Sequence, residues 1–382
     1  MTGRPNGLRA ARTALGWSQT DAARELAALG RARGAPVAAA VSLKTLLSRW
    51  ENGHAVPEPQ YRSLLGELFD RTTAELGLGP ATAEPCGTTA ATRLRDAVAG
   101  ASAVDDVALG LWREQLAVAR RLDDELGAAG AGGLVRAQVE QLGHTLSHTV
   151  GPATRRLVAE VLAGAATLAG AQALDGADHE EAWLHYDRAR AAAREAGLPL
   201  AAVVALTGQA AVLVEVGDPT SASTLLGERC PDGPAAARAR WQAARGTVRA
   251  AAGDGTGSGV AFAAAERELQ LSPTEPRADV VTWTGPPIEL TDLDRWHGRA
   301  LVALGAATHA VTPLERALAA RPRSARHRAA LHADLAAALG AERPTDAARH
   351  AHAARALAAR IGSERITARL ARAPGSSRRV ER

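Results

Sequence analysis

Five glycines, Gly176, Gly217, Gly253, Gly305 and Gly340, interrupt a helical apolar periodicity at intervals of 41, 36, 52 and 35 residues. Breaks recurring at roughly 34–40 residues are what stacked helix pairs produce, because each pair is one unit and glycine supplies its turn. The pairs read as 154–175 with 179–196, 200–216 with 220–228, 235–252 with 260–269, 290–304 with 311–320, and 325–339 with 345–361. Within the first, Trp183, Tyr186, Ala189 and Ala193 share one face. A further pair is expected at 104–126 and 134–149, and 274–287 reads as an insertion. The composition agrees: aromatic residues are 3% of the chain. Alanine is very abundant, which favours closely approaching helices over sheet.

The first 80 residues follow another pattern. Over 42–53, Ser-Leu-Lys-Thr-Leu-Leu-Ser-Arg-Trp-Glu-Asn-Gly, residues Leu43, Leu46, Leu47 and Trp50 fall at i, i+3, i+4 and i+7 and form one apolar stripe. Lys44, Ser48 and Asn52 repeat every four residues on the opposite side, with Thr45 and Arg49 beside them. Ser42 is a candidate N-cap and Gly53 a candidate terminator. A short helix with an apolar back and small polar groups, one Lys and one Arg in front suits a DNA groove, where phosphates and base edges are both in reach. Lys44 is the only lysine in the chain.

The flanking segments are also helical. Leu8, Ala11 and Leu15 share a face that Gly16 ends. Ser18-Gln19-Thr20-Asp21 has capping-box spacing, with Trp17 placed to staple against Ala22. Leu26 and Leu29 continue that helix. Pro57 and Pro59 open another, carrying Tyr61, Leu64, Leu65, Leu68 and Phe69 at core spacing.

Here the chain resembles the Xre/Cro/CI-type repressors, through Leu8-Arg9-Ala10-Ala11-Arg12, Gly16-Trp17-Ser18-Gln19-Thr20 and Leu47-Ser48-Arg49-Trp50-Glu51-Asn52-Gly53, followed by Pro57. The resemblance implies a helix-turn-helix domain. Lys44, Thr45, Ser48 and Arg49 would lie in the major groove, with Gln19 and Arg12 on phosphates. Ser18, Thr20 and Asn52 complete the candidate DNA-binding set. One departure is the connection between the second and third helices. The family has a three- or four-residue turn, whereas 30–41 is a longer Ala/Gly/Arg-rich insert similar to that of actinobacterial members. Whether Leu43 or Lys44 begins the reading face stays open. The remainder looks like the degenerate tetratricopeptide repeats that follow such domains in actinobacterial regulators.

The expected architecture is all-α. It comprises a helix-turn-helix domain over 1–78, a linker over 79–93, a tetratricopeptide-like α-solenoid over 94–372 and a basic disordered tail over 373–382. The net charge of +4 conceals a surplus of three cations in 1–80, six in 355–382, and a middle at −5. Basic ends around an acidic middle suit a protein that lies near nucleic acid. Cys86 and Cys230 form neither a disulfide framework nor a metal motif, and no signal peptide opens the chain, so a cytoplasmic protein is expected. The apolar run 198–216 contains Thr207, Gln209 and Glu215 and reads as a buried helix, not a membrane span.

No enzyme, metal or cofactor is expected. His144 and His148 lie one turn apart without a third ligand, and His350 and His352 face different sides of a helix. The glycine-rich run 253–259 lacks a phosphate-loop ending and reads as a flexible turn. Asp123-Asp124-Glu125 reads as a solvated face. The expected function is a sequence-specific transcriptional regulator. Its partners would be a double-stranded DNA operator, a second copy of itself as a homodimer, and a peptide, protein or small-molecule effector on the concave side of the solenoid. The alternative is a protein-interaction adaptor that binds no DNA.

Overall fold

The computed structural model describes residues 7–52, 55–73, 75–78, 90–271, 288–322, 324–340 and 342–372. The expected terminator Gly53, residues 79–89 of the expected linker, Cys86, the insertion at 274–287 and the tail at 373–382 lie outside them. The described residues form seventeen helices and no strand, so the all-α expectation holds. The chain divides into two compact units, Met1–Arg95 and Asp96–Arg382.

The first unit contains α1 (Gly7–Ala14), α2 (Gln19–Ala32), α3 (Ala40–Glu51) and α4 (Pro59–Phe69). Ser18 caps α2 as its spacing predicts: its hydroxyl accepts from Asp21 N–H, and Asp21 accepts from Ser18 N–H at 3.0 Å. Leu8, Leu26, Leu43, Leu47, Leu65 and Trp50 form one apolar core. Two local expectations change. α1 stops at Ala14, leaving Leu15 exposed. α3 starts at Ala40 with Ala39 at its N-cap, so Ser42 is an exposed residue inside the helix. Trp17 packs on the core that contains Ala22, and its ring also meets that of Phe69 at 6.0 Å.

The insert at 30–41 is shortened from both ends, since α2 runs to Ala32 and α3 begins at Ala40. What remains is fastened to the core. Val37 lies so close to Gly30 that a Cβ there would meet its Cγ1 at 2.6 Å, and Ala38 N–H donates to the Tyr61 hydroxyl at 3.1 Å.

α5 (Ala90–Ser102) begins inside the segment expected as linker. The second unit continues with α6 (Asp106–His148), kinked at Gly127, where φ is 62°. A Cβ on Gly127 would meet Ile361 at 2.6 Å, so glycine is required for both backbone and space. Then come the hairpins α7 (Pro152–Asp175) with α8 (His179–Ala196), α9 (Pro199–Glu215) with α10 (Pro219–Leu226), and α11 (Ala235–Ala251) with α12 (Gly255–Gln270). They are followed by α13 (Leu290–Ala303) with α14 (Ala307–Ala319), and α15 (Ala325–Leu339) with α16 (Pro344–Ile361). Each boundary falls within a few residues of the sequence reading, except that α12 starts at Gly255. There the Asp254 carboxylate accepts from Gly257 N–H at 2.7 Å, and Ser258 donates to the Gly246 carbonyl at 2.9 Å. The glycine run is therefore the first turn of a helix, not a flexible turn. α7 alone among the described helices is long and apolar enough to cross a bilayer, and 67% of its apolar window is buried.

A short last helix, α17 (Glu364–Arg372), was not separately legible in the sequence. α15 and α16 pack on α6, and α17 packs on α15, α16 and α7, so the end of the helix array returns onto its beginning. Where these helices converge the interior is charged. Arg326 pairs with Asp175 and with Asp123, at 2.9 Å from the latter. Arg299 bridges Glu215 at 3.3 Å and Asp334 at 3.2 Å. Asp123 also accepts from Gln172 at 2.8 Å. Asp123 is thus buried in an ion network, not on the solvated face expected for 123–125, because α6 and α15 meet across it.

Candidate nucleic-acid interface

α3 carries two separated sets of side chains. Leu43, Leu47 and Trp50 are buried, with Trp50 3% exposed and its ring 5.3 Å from that of Tyr61. Leu46 is half-buried. Lys44, Thr45, Arg49 and Asn52 are exposed and Ser48 is half-buried, so these five lie outside the core. Of the two residues left open, Leu43 is buried and Lys44 is exposed. Asn52 follows the helix, and its side-chain amide donates to the Ser48 carbonyl at 2.7 Å, fastening the last turn.

Arg12 is elsewhere than the resemblance implied. It is 8% exposed. Its Nε donates to Glu51 Oε1 at 2.5 Å, its Nη2 to Glu51 Oε2 at 3.0 Å and its Nη1 to the Trp17 carbonyl at 2.6 Å. Gln19, half-buried, donates from Nε2 to Glu51 Oε2 at 2.9 Å. Arg12 is therefore not presented to a phosphate but ties α1 to the end of α3, and Gln19 ties in α2. Burial pushes the Glu51 carboxyl up, but the bonds from Arg12 and Gln19 outweigh it, and the group sits below its ordinary value. The Arg12 guanidinium is raised, chiefly by its hydrogen bond to Glu51. Ser18 is exposed at the cap of α2, and Thr20 is half-buried in the first turn.

Sequence reasoning missed this Arg12–Glu51–Gln19 cluster. Arg12 and Glu51 are 39 residues apart. The available signal was that both belong to quoted motif segments, yet periodicity places residues on faces without naming their partners. Of the nine candidates, the structure brings Lys44, Thr45, Ser48, Arg49 and Asn52 together on one helix, holds Ser18, Gln19 and Thr20 at the start of α2, and withdraws Arg12 into the core.

In the second unit the histidine expectations divide. The His144 and His148 rings lie with centroids 4.5 Å apart and planes tilted by 41°, and the His144 carbonyl lies 2.9 Å from His148 Nδ1. His350 meets His332 of the adjacent helix, with their Nδ1 atoms 2.8 Å apart, while His352 is exposed. Among the described residues no group of three or more His, Cys, Asp or Glu is placed to hold a metal ion. Comparisons of the chain with protein-family models, with curated proteins and with solved structures return no match.

Proposed function

We propose that the protein is a sequence-specific, double-stranded-DNA-binding transcriptional regulator, with α3 as the helix that reads the major groove. The observation that carries this reading is the division of α3: Leu43, Leu47 and Trp50 locked into the core with Glu51 buried in its last turn, and Lys44, Thr45, Ser48 and Arg49 directed away from it. A rigid helix with two cationic and two hydroxyl side chains outward can contact base edges and phosphates together. The cluster at Glu51 fixes the angle between α3 and the first two helices, which is what a groove-reading helix needs from its scaffold. In this reading the pair α2 and α3 is a helix-turn-helix, the second unit is a tetratricopeptide-like solenoid that supports dimerisation or effector sensing, and the protein acts as a homodimer in the cytoplasm.

The test is selection of bound sequences from random duplex DNA, followed by titration of the preferred site. Lys44→Ala or Arg49→Ala should weaken binding by about 1–3 kcal/mol and relax sequence preference. Log affinity should fall steeply with log salt. Absence of any enriched sequence, together with salt-insensitive binding, would sink the proposal and leave the adaptor reading.

A further inference from the structure

The charged interior of the second unit is finished by a segment that is hardly part of its framework. α17 has nine residues, too few for a stable helix in isolation. It joins the body through Gly362, at φ 69°, and Ser363. Two adjacent stripes fasten it. Ile366 and Leu370 are buried in a cluster with Ala329, Ala354 and Ile361, and Arg365 and Arg369 reach into the ion network. Arg365 Nε lies 2.8 Å from Glu215 Oε1 and Nη1 lies 3.7 Å from Asp175, while Arg369 Nη2 lies 2.6 Å from the same Glu215 oxygen.

The network has a notable balance without α17. Asp175 keeps Arg326 and Glu215 keeps Arg299, so neither carboxylate is orphaned when the helix leaves. The body then sets five carboxylates, Asp123, Asp124, Asp175, Glu215 and Asp334, against three arginines, Arg120, Arg299 and Arg326. Asp334 already has an oxygen, Oδ2, with no hydrogen-bond partner although its side chain is only 6% exposed. Arg240, next along, is engaged by Thr207 Oγ1 at 3.0 Å and by the Trp296 ring. Vacated, this is an acidic recess beside an apolar wall, complementary to a helix with arginines at i and i+4 and aliphatic residues one position later. α17 fills it imperfectly: Arg369 Nε finds no hydrogen-bond partner. Burial and the proximity of Arg365 and Arg299 push its guanidinium down to about 9. Arg365 is the better held, raised because Glu215 and Asp175 outweigh its burial.

We propose that Asp175 and Glu215 form a docking site for a basic amphipathic helix, occupied in cis by α17, and that an arginine-bearing helix supplied in trans displaces α17 from it. The site lies wholly within the second unit and makes no use of α3. Release of α17 is local, because the apolar contacts it gives up are confined to Ile366 and Leu370.

Amide hydrogen exchange on the intact chain tests this, with a capped synthetic peptide of residues 362–372 as the probe. The α17 amides should exchange roughly tenfold or more faster than those of α15, as a locally opening segment does. Saturating peptide should accelerate α17 further and leave α15 unchanged, and a peptide with Arg365→Gln and Arg369→Gln should not. Glu215→Gln in the full chain should lower the protection of α17 by a larger factor than that of α7 and α15, which separates a docking defect from a folding one; an equal loss in all three helices would overturn the proposal. Exchange of α17 at the rate of α15, or a peptide that leaves it unaltered, would overturn the proposal and make α17 a fixed structural helix.

Discussion

The two units share apolar cores but differ in what they bury beside them. The first closes on leucines and aromatics, Leu8, Leu26, Leu43, Leu47, Leu65, Trp50 and Tyr61, with the Arg12–Glu51 pair at its edge. The second also has leucine and valine clusters, Leu116, Leu142, Leu331 and Leu335 among them, but lines many helix contacts with alanine and glycine and adds an arginine–carboxylate network where several helices converge. The difference follows from side-chain length. Small residues let helices approach closely, as where Gly170 and Gly208 lie against the Tyr186 ring, but they cannot fill the space where many helices converge. Arginine can, since its stem is apolar and its head takes several carboxylates at once. Apolar packing is forgiving of small shifts; a buried ion network stabilises little on balance yet penalises the loss of any one member heavily. The first unit therefore behaves as a platform, and the second as a fitted assembly.

The largest expected effect is on the platform. Trp50→Ala removes a 3% exposed ring and should destabilise the first unit by roughly 3–5 kcal/mol. Thermal unfolding should lose that unit's transition, and DNA retention with it. If binding vanished while the transition stayed, Trp50 would be a contact residue and the division of α3 would be wrong.

Next is the assembly. Glu215→Ala leaves Arg299, Arg365 and Arg369 without their shared carboxylate, and loss of one partner from a buried network costs about 3 kcal/mol or more. Urea unfolding of the full chain should show this in the second unit and leave the first unaffected. A loss under about 1 kcal/mol, the value of an exposed pair, would mean that water reaches the network and that the contrast between the units is overstated.

How much of this was legible follows the same division. Local signals worked: glycine breaks placed the hairpins from Pro152–Asp175 to Pro344–Ile361, and Ser18 with Asp21 announced the start of α2. Ser42 misled, because a good capping residue was read as a helix start when the first turn lies upstream at Ala40. The ion network was invisible. Glu215 meets Arg299, Arg365 and Arg369 across separations of 84, 150 and 154 residues, and periodicity does not name the partner of a charged residue. The surplus of arginines in 355–382 read accordingly as a basic terminus, whereas Arg365 and Arg369 are internal ligands. At the candidate interface, the outward residues of α3 came from periodicity, and Arg12 was misplaced because the resemblance supplied a role without a geometry.

Acid should separate the units more gently. Glu51 and Glu215 are both held below the ordinary carboxylate value. In each case burial raises the group and charged partners outweigh it. For Glu215 those partners are Arg365, Arg369 and Arg299, and the lowering is the larger. A carboxyl lowered in the folded state stabilises fully above the unfolded value, near 4.3, and that contribution is lost as pH falls through the folded value; each pKa unit is worth about 1.4 kcal/mol. The Arg12–Glu51 contribution should therefore fade first on acidification, and the Glu215 contribution at lower pH. Urea midpoints measured from pH 6 to pH 2.5 would check this. Glu51→Gln should flatten the acid limb of the first unit; an unchanged limb would show that Glu51 is not ionised in the fold.

The smallest effect concerns Ser18, which the resemblance places among the DNA contacts and the structure places at a helix start. Its hydroxyl accepts from Asp21 N–H at 3.2 Å and donates to Asp21 Oδ2 at 2.6 Å, so both of its hydrogen-bonding capacities are engaged inside the protein. Losing such a cap costs about 1 kcal/mol of helix stability. Ser18→Ala should lower the first unit's melting temperature by a few degrees and leave affinity for a selected operator unchanged at a temperature where the unit stays folded. Ser18→Asp separates the two roles further. Aspartate caps a helix as well as serine does, so stability should be retained, whereas a carboxylate at a phosphate contact would be repelled. Affinity that survives Ser18→Ala and Ser18→Asp alike makes Ser18 a capping residue. Affinity that collapses only in the aspartate variant returns it to the interface and brings the N-terminus of α2 against the DNA backbone beside α3.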